Sequence, residues 1–269
     1  MPDSAASTPT SAAVPAAVPA AVPASLEGPL LVLVAMPEEA APLLARLEGA
    51  AALETPFSTG VAARRGRLAG LDTVVVTTGI GIAAASAAAT WGILTTAPGL
   101  VVSAGSCGGL AADVEVGTLI IGETFTYSIA DATAFGYAPG QVPGGPVRFE
   151  AAPAWVDAAE QAALRADAQA DTQGEGRGVR RGLMLSGDAF VTAEIAAGMR
   201  ERFPHALSAD METTASARTA EALGVPLVAL RAISDLCGPA AWQQFHLELD
   251  VVAEISARGV EQLAGSLAG

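Results

Sequence analysis

An apolar run late in the chain ends in three polar residues that could act on a ligand. Residues 227–230 read Leu-Val-Ala-Leu, which is typical of a strand buried on both faces, and Arg231, Ser234 and Asp235 follow it. An aspartate in this place either caps the next turn or lies at the lip of a ligand site.

Two glutamates lie at the predicted starts of helices. Glu39 follows the apolar run 30–36, and Glu212 lies in the segment Ser-Ala-Asp-Met-Glu-Thr-Thr-Ala at 208–215. The helix dipole stabilises a carboxylate in this position whether or not it has a function, so each glutamate alone is a weak signal. Glu39, Glu212 and Asp235 all fall at predicted strand ends or at helix starts beside them, and this shared location favours a common site.

A turn of small residues offers a different kind of group. The segment Gly-Ser-Cys-Gly-Gly at 105–109 ends a predicted strand, and it lets the backbone amides around Ser106 and Gly108 approach a ligand closely. The turn lacks the glycine spacing of a dinucleotide fold, and the chain contains no lysine for a phosphate-binding P-loop.

Hydrophobic patterning predicts strands that alternate with helices. Such alternation indicates an α/β domain with a mostly parallel sheet covered by helices on both faces, and ligands bind such sheets outside the carboxyl ends of the strands. The predicted strands are 30–36, 70–81, 99–110, 117–128, 180–191 and 225–234. The predicted helices are 37–49, 83–95, 152–170, 209–224 and 249–268.

Composition excludes several classes of protein. The net charge of −14 argues against binding to a nucleic-acid backbone, and no apolar run is long enough to span a membrane. Cys107 and Cys237 are too few for a disulfide framework, so we expect reduced, buried thiols in a cytoplasmic protein. His205 and His246 stand apart from other metal-ligating residues, so we expect no metal site and a surface location for both.

The first 28 residues differ from the rest. Residues 12–23 repeat small apolar residues with a proline at every fourth position, which blocks helix formation and predicts a disordered or polyproline-like tail. We therefore divide the chain into a tail, 1–28, and a single domain, 29–269.

Six segments, taken together, resemble one family. They are VAMPEEAAPL, VVSAGSCGGLAADVEVGTLIIGE, DATAFGYAPGQVPG, GLMLSGDAFV, ADMETTA and VPLVALRAISD, spread over residues 30–236. In this order they are similar to the methylthioadenosine/S-adenosylhomocysteine nucleosidases of the nucleoside phosphorylase superfamily. The resemblance implies a single-domain three-layer sandwich with a central mixed, mostly parallel sheet flanked by helices. It also implies a homodimer that hydrolyses the bond between adenine and a 5′-thio-substituted ribose, with water as the nucleophile and no cofactor.

The resemblance also implies roles for particular residues. Asp235 corresponds to the acid that protonates N7 of the leaving adenine, and Glu39 to the base that activates water. Glu212 corresponds to the group that accepts hydrogen bonds from the sugar hydroxyls. The remaining implied contacts with substrate are Met211 beneath the ribose, Ser106 and Arg231 near the water and sugar, Phe190 and Val191 at the purine, Ser234 beside the acid, Met36 and Gly108 on the pocket wall, and Phe135, Tyr137 and Pro143 in a loop that reaches the partner subunit's 5′-thio pocket.

The chain departs from the family pattern at two positions. Pro37 replaces a common acidic residue, and Thr213 replaces a common alanine.

Three other functions compete with a hydrolytic nucleosidase. A phosphorolytic enzyme needs a phosphate cradle after the first strand, where this chain has carboxylates that would repel phosphate. A futalosine-type nucleosidase of menaquinone synthesis would share the same glycosidic chemistry, so the sequence does not separate it. A nucleoside-binding protein without activity is disfavoured because both Glu39 and Asp235 are present.

Overall fold

The computed structural model describes residue 22 and residues 25–268, and these contain ten strands and six α-helices. The strands are β1 (Leu30–Val34), β2 (Glu48–Leu53), β3 (Ala62–Leu68), β4 (Leu71–Thr77), β5 (Leu100–Gly109), β6 (Leu119–Tyr127), β7 (Phe149–Glu150), β8 (Val179–Ser186), β9 (Ala206–Asp210) and β10 (Leu227–Asp235). The helices are α1 (Pro37–Arg46), α2 (Ile82–Thr96), α3 (Pro153–Asp171), α4 (Ala193–Arg202), α5 (Thr213–Ala222) and α6 (Ala241–Leu267), with a short 3-10 turn at Thr133–Phe135.

The sheet is mixed, and part of it closes on itself. Strand β1 lies between β4 and β5, parallel to both, and β3 and β2 extend the sheet beyond β4 as an antiparallel hairpin. Strand β5 also pairs with β10 and with β9, and β6 and β8 connect those two strands. Strands β5, β10, β6, β8 and β9 therefore form a ring in which each strand has two paired neighbours.

Apolar runs place the central strands in the core. Every residue of β1 and of β10 is buried, as expected for strands covered on both faces. Helices α1 and α3 each pack against α6, and α2 packs against α5. The small residues of α2 permit close packing, since Gly92 lies directly over the Leu31 side chain. The predicted α/β fold with a helix-flanked sheet is confirmed.

Several predicted boundaries were wrong. The helix predicted at 37–49 ends at Arg46, and the exposed segment that follows forms β2. The predicted strand 180–191 ends at Ser186, so the five residues after it form a loop. The segment 209–224 was expected to be one helix, but its first residues complete strand β9. Helix α4 was not predicted at all.

Most of the predicted tail lies outside the described residues. Val22 and Leu26 are described, and both pack against the hydrophobic core. Within the described residues, none of the helices is both long and apolar enough to cross a membrane.

Candidate active site

A cavity of about 440 Å³ opens at or just beyond the ends of β1, β5, β8, β9 and β10. This is the edge of the sheet at which a ligand site was predicted. The start of α6 forms part of the wall. The predicted site residues that line the cavity are Met36, Glu39, Ser106, Gly108, Phe190, Val191, Met211, Glu212, Arg231, Ser234 and Asp235.

The carboxylate of Glu39 accepts four hydrogen bonds although the residue is only 2% exposed. Its Oε2 accepts from the backbone N–H of Ala35 at 2.8 Å and of Met36 at 3.2 Å. Its Oε1 accepts from both the backbone N–H and the hydroxyl of Ser106 at 2.8 Å. An ionised carboxylate only accepts hydrogen bonds, so this ring of donors suits it. The first turn of α1 and the end of β5 thus hold one charged group between them.

Gly105 leaves the space that this carboxylate fills. Its φ is +122°, a conformation that favours glycine, and a Cβ atom there would overlap the carboxylate of Glu39. Its backbone N–H donates to Ser256 Oγ on α6 at 2.9 Å. A glycine is therefore required both by the backbone and by the neighbouring side chain.

Arg231 lies between two buried carboxylates. Its Nε is 3.3 Å from Oδ2 of Asp210, and its Nη1 is 3.4 Å from Oε2 of Glu212. Nη1 also donates to the carbonyl of Ser106 at 2.8 Å. Burial lowers the pKa of Arg231, but the charges of Asp210 and Glu212 raise it more, so the guanidinium remains charged.

Glu212 can exist in either protonation state near neutral pH. Burial raises its pKa to about 7, against the effect of Arg231, and the charge of Asp210 adds to the rise. Its Oε1 accepts a hydrogen bond from the Gly81 N–H at the start of α2, at 2.9 Å. The positive end of that helix therefore faces the carboxyl group.

The sequence interpretation missed Asp210. Its Oδ1 accepts from the Ser186 hydroxyl at 2.6 Å and from the backbone N–H groups of Glu212 and Thr213, both at 3.0 Å. Its Oδ2 accepts from the Thr213 hydroxyl. Asp210 thus fixes the start of α5 and orients Glu212 toward the cavity. The predicted helix at 209–224 concealed it, because Asp210 in fact ends a strand.

A β-bulge directs two consecutive residues of β10 toward the cavity. Ile233 lies opposite Cys107 of β5 and Asp235 lies opposite Gly108, so Ser234 is an extra residue. Neighbouring residues of a regular strand point to opposite faces, and a bulge redirects them. Ser234 and Asp235 consequently both line the cavity.

Asp235 is 3% exposed, and burial raises its pKa. Its Oδ1 accepts from the Cys237 N–H at 2.9 Å, and its Oδ2 lies 3.0 Å from the Ser234 hydroxyl. The Ser234 hydroxyl also lies 3.2 Å from the carbonyl oxygen of Cys107. Asp235 is thus a buried carboxyl group with few donors, in contrast to Glu39.

The two cysteines are buried free thiols, as predicted. Burial raises the pKa of both, that of Cys237 to about 12, so the thiols are neutral and weakly nucleophilic. Both line the cavity beside Asp235. Among the described residues no group of His, Cys, Asp and Glu is arranged to hold a metal ion.

An aromatic cluster at the start of α6 was also missed. Trp242, Phe245 and His246 line the cavity, and the Phe190 ring lies 5.6 Å from Trp242 and 5.8 Å from Phe245 between centroids. His246 was expected to be a solvated surface residue, but although exposed it packs 4.2 Å from Trp242. The spacing of these residues along one helix face was the signal available in the sequence.

The predicted aromatic loop does not reach this cavity. Phe135 is 84% exposed, Pro143 is exposed and Tyr137 is half-buried. None of them lines the cavity of its own chain. The resemblance assigns this loop to the pocket of a partner subunit, and that assignment stays a prediction.

Residues 29–267 match the family model described as the phosphorylase superfamily. A 5′-methylthioadenosine/S-adenosylhomocysteine nucleosidase of Geobacillus kaustophilus is 37% identical over 227 residues, which is 84% of this chain and 92% of that protein. The chain belongs to the 5′-methylthioadenosine/S-adenosylhomocysteine nucleosidase family. The family predicted from the sequence motifs is therefore confirmed.

Solved structures of nucleosidases and a related hydrolase are similar to this nucleosidase-family chain over most of its length. The nucleosidase of Neisseria meningitidis, in complex with methylthio-immucillin-A, is 35% identical with a TM-score of 0.81, covering 90% of this chain and all (100%) of that one. The futalosine hydrolase of Helicobacter pylori is 25% identical with a TM-score of 0.76, covering 88% of this chain and 97% of that one. Both named activities are hydrolytic.

Proposed function

We propose that the chain hydrolyses the N-glycosidic bond of 5′-methylthioadenosine and S-adenosylhomocysteine, releasing adenine and the 5′-thioribose. Family membership supports the reaction class, and the opposed environments of Glu39 and Asp235 support the mechanism. One carboxyl group is surrounded by donors and the other is buried with a raised pKa. A hydrolytic N-glycosidase needs one group to activate water and another to protonate the leaving base.

The surroundings of Glu39 favour water over phosphate as the nucleophile. The N–H groups of Ala35, Met36 and Ser106 are donors of the kind that bind anions. They are already occupied by the carboxylate of the chain itself. A phosphate ion would have to displace this carboxylate or lie against its negative charge. In our proposal, Glu39 therefore withdraws a proton from a water molecule, and phosphorolysis is disfavoured.

Asp235 is the group we assign to protonation of the adenine ring at N7. Burial favours its protonated form, and transfer of the proton makes adenine a better leaving group. Ser234 supports both states of the acid. Its hydroxyl can accept from the protonated carboxyl while donating to the Cys107 carbonyl, and it can donate to the carboxylate once the proton has left.

Glu212 and Arg231 form the sugar-binding part of the proposed site. Departure of adenine creates positive charge on the ribose ring, and a nearby carboxylate stabilises that charge. We assign Glu212 to accept hydrogen bonds from the sugar hydroxyls, with Met211 packing beneath the ring. Arg231 keeps Glu212 in place and joins it to the Ser106 carbonyl.

Phe190 and Val191 are assigned to the purine. The aromatic rings of Trp242 and Phe245 pack edge-on against Phe190 and fix its orientation. A flat apolar wall of this kind binds a purine face, and the backbone of Val191 can form hydrogen bonds with the edge of the base. The cavity volume of about 440 Å³ is within the range of small-molecule sites.

We also propose a cytoplasmic homodimer. Phe135, with 84% exposure, Ile129, with 58%, and Val147, with 49%, are large apolar side chains in or beside one loop region. Apolar groups exposed together mark interaction surfaces, and the resemblance places this loop at a partner subunit. The two buried, reduced thiols are usual in a reducing compartment.

Futalosine-type hydrolysis is the second candidate, supported by the similarity to the futalosine hydrolase of Helicobacter pylori. The two activities share the glycosidic step and differ in the 5′ substituent of the nucleoside. The roles assigned to Glu39 and Asp235 would be unchanged.

Adenine release from methylthioadenosine, measured first without phosphate and then with it, tests the proposal. We expect equal rates under both conditions, and comparable release from S-adenosylhomocysteine. Release only with phosphate would show a phosphorylase. Release from neither nucleoside, but from a futalosine-type substrate, would establish the second candidate instead.

A further inference from the structure

Ser256 is a buried polar residue of α6 that the proposed reaction does not use. It is 2% exposed and lies far along the chain from the segments that carry the family motifs. Its hydroxyl accepts a hydrogen bond from the Gly105 N–H at 2.9 Å and donates one to the Leu230 carbonyl at 2.7 Å. Both contacts are needed to satisfy buried backbone groups.

These contacts join β5 to β10 through a side chain of a helix. The two strands pair in parallel, with Leu230 opposite Ala104 and Arg231 opposite Gly105. Ser256 therefore bridges adjacent register positions of the pair. A hydroxyl has a single proton, so one donated and one accepted bond fix its orientation.

The bridge lies immediately beside the donors of Glu39. Gly105 has a φ of +122°, and the next residue, Ser106, directs both its N–H and its hydroxyl at the Glu39 carboxylate. Glycine has the widest choice of backbone conformations, so a glycine turn keeps one geometry only where its surroundings determine it. The bond from Gly105 to Ser256 fixes the amide on one side of this turn, and the bonds from Ser106 fix the other.

We propose that Ser256 is a positioning residue for Glu39. By holding the Gly105 peptide, it orients the Ser106 donors, and these orient the carboxylate assigned to activate water. The inference rests on the proposed function for its effect on turnover, but not for its effect on the backbone. Ser256 does not line the cavity, so it acts without touching substrate.

Ser256→Ala removes the bridge and leaves the two backbone groups without their partner. We expect kcat for methylthioadenosine to fall about ten- to a hundredfold through misplacement of Glu39, with KM changed less than about threefold. Ser256→Thr retains a hydroxyl and should recover most of the lost turnover. Ser266→Ala is the matched control, because Ser266 lies on the same helix and its hydroxyl donates to the Leu263 carbonyl within that helix, at 2.7 Å.

A double-mutant cycle separates positioning from general loss of structure. If Ser256 acts through Glu39, Ser256→Ala should cause little further loss of single-turnover rate in a Glu39→Ala background. Equal losses in both backgrounds, or wild-type kcat in the single variant, would overturn the proposal. Hydrogen exchange tests the backbone effect without reference to activity. The amides of residues 104–107 should exchange faster in Ser256→Ala than in Ser266→Ala, and equal rates would refute the positioning role even if the wild-type protein released no adenine.

Discussion

At the scale of single residues, two carboxyl groups face one cavity from environments of opposite kind. Glu39 receives four hydrogen bonds, whereas Asp235 is buried with fewer donors around its carboxyl group and has a raised pKa. Such a contrast lets one carboxyl group act as base while the other acts as acid. We therefore make a separate prediction for each of the two residues.

Asp235→Asn keeps the shape of the side chain but removes the transferable proton. We expect kcat to fall by about 10²- to 10⁴-fold, the usual contribution of a general acid, while KM stays within a few-fold of wild type. In the wild-type protein kcat should decrease as pH rises through the pKa of Asp235, because the acid must be protonated. Steady-state kinetics with methylthioadenosine measure both effects, and wild-type turnover by the variant would exclude Asp235 as the acid.

Glu39→Ala should slow hydrolysis strongly and leave a small anion site. The donors of Ala35, Met36 and Ser106 would then lack their acceptor, so added formate should bind there and restore part of the turnover. We expect a loss of about 10²- to 10⁴-fold that formate reduces in a saturable manner. Glu38→Ala is the control, since that side chain is exposed and lies next to Glu39 in the same helical turn. Loss of activity in the control alone would show that Glu38, rather than Glu39, is the base.

At the scale of elements, the turn at the end of β5 depends on the absence of a side chain. Gly105→Ala would force a methyl group into the Glu39 carboxylate and also strain a backbone with φ of +122°. We expect a loss of stability of more than about 1 kcal/mol and a large loss of turnover. Gly60→Ala provides the comparison, because Gly60 also has a positive φ, of +76°, but a Cβ atom there would have no neighbour within 4 Å. Denaturant unfolding and kinetics of both variants distinguish backbone strain from the clash, and full activity of Gly105→Ala would contradict this account.

The elements that the sequence predicted well are those whose burial leaves a clear pattern. Strands β1 and β10 are apolar throughout because both faces are covered. Strand β2 reads Glu-Gly-Ala-Ala-Ala-Leu and is mostly exposed, so neither alternation nor β-branched residues identified it. Its pairing with β3 forms the strand, and pairing between segments is not visible in local pattern.

Local sequence pattern also limited which residues of the candidate site could be predicted. Glu39, Glu212 and Asp235 lie at predicted strand ends or helix starts, and the structure brings all three to one cavity, as this shared location predicted. Asp210 was missed because a short strand and the helix after it were read as one helix. Trp242 was missed because its helix was predicted to begin later, at 249, than it does. In both cases an error in an element boundary hid a residue of the cavity.

At the scale of the whole molecule, the buried carboxyl groups of the site should make the free energy of unfolding fall as pH rises. Glu212 has a pKa raised from 4.5 to about 7, and burial raises that of Asp235 as well. A carboxyl group with a raised pKa stabilises the fold below its unfolded pKa and loses this contribution as pH rises through the folded value. We therefore expect the free energy of unfolding to decrease between about pH 5 and about pH 8, with Glu212 contributing to the decrease.

Urea unfolding over that pH range measures this dependence. Glu212→Gln cannot titrate, so its stability should vary less with pH than that of the wild-type protein. Arg65 and Asp72 form an exposed ion pair outside the site, and Asp72→Asn should leave the slope unchanged over this range because the pKa of Asp72 is lowered instead. An identical slope in wild type and Glu212→Gln would show that Glu212 titrates normally.

The homodimer is a prediction on the same scale. Sedimentation of the purified protein should give twice the mass of one chain. Phe135→Ser removes the most exposed of the large apolar side chains among the described residues, so it should weaken association and lower turnover if the loop completes the partner's pocket. Arg148→Ser, at an exposed site in the same loop region, should do neither. A monomeric wild-type protein with full activity would exclude this role of the loop.

Because paired strands of the ring lie far apart in the sequence, the order of synthesis sets when the proposed site can first form. Strands β5 and β10 are neighbours in space but lie more than a hundred residues apart in the sequence, and β10 carries Asp235, the proposed acid. Contacts between distant segments form slowly because a long loop must close first. During synthesis the earlier strands emerge well before β10, and α6, which covers the β5–β10 pair, emerges after it. A nascent chain therefore carries Glu39, the proposed base, long before Asp235, the proposed acid, and we expect no hydrolysis until almost the whole domain has left the ribosome.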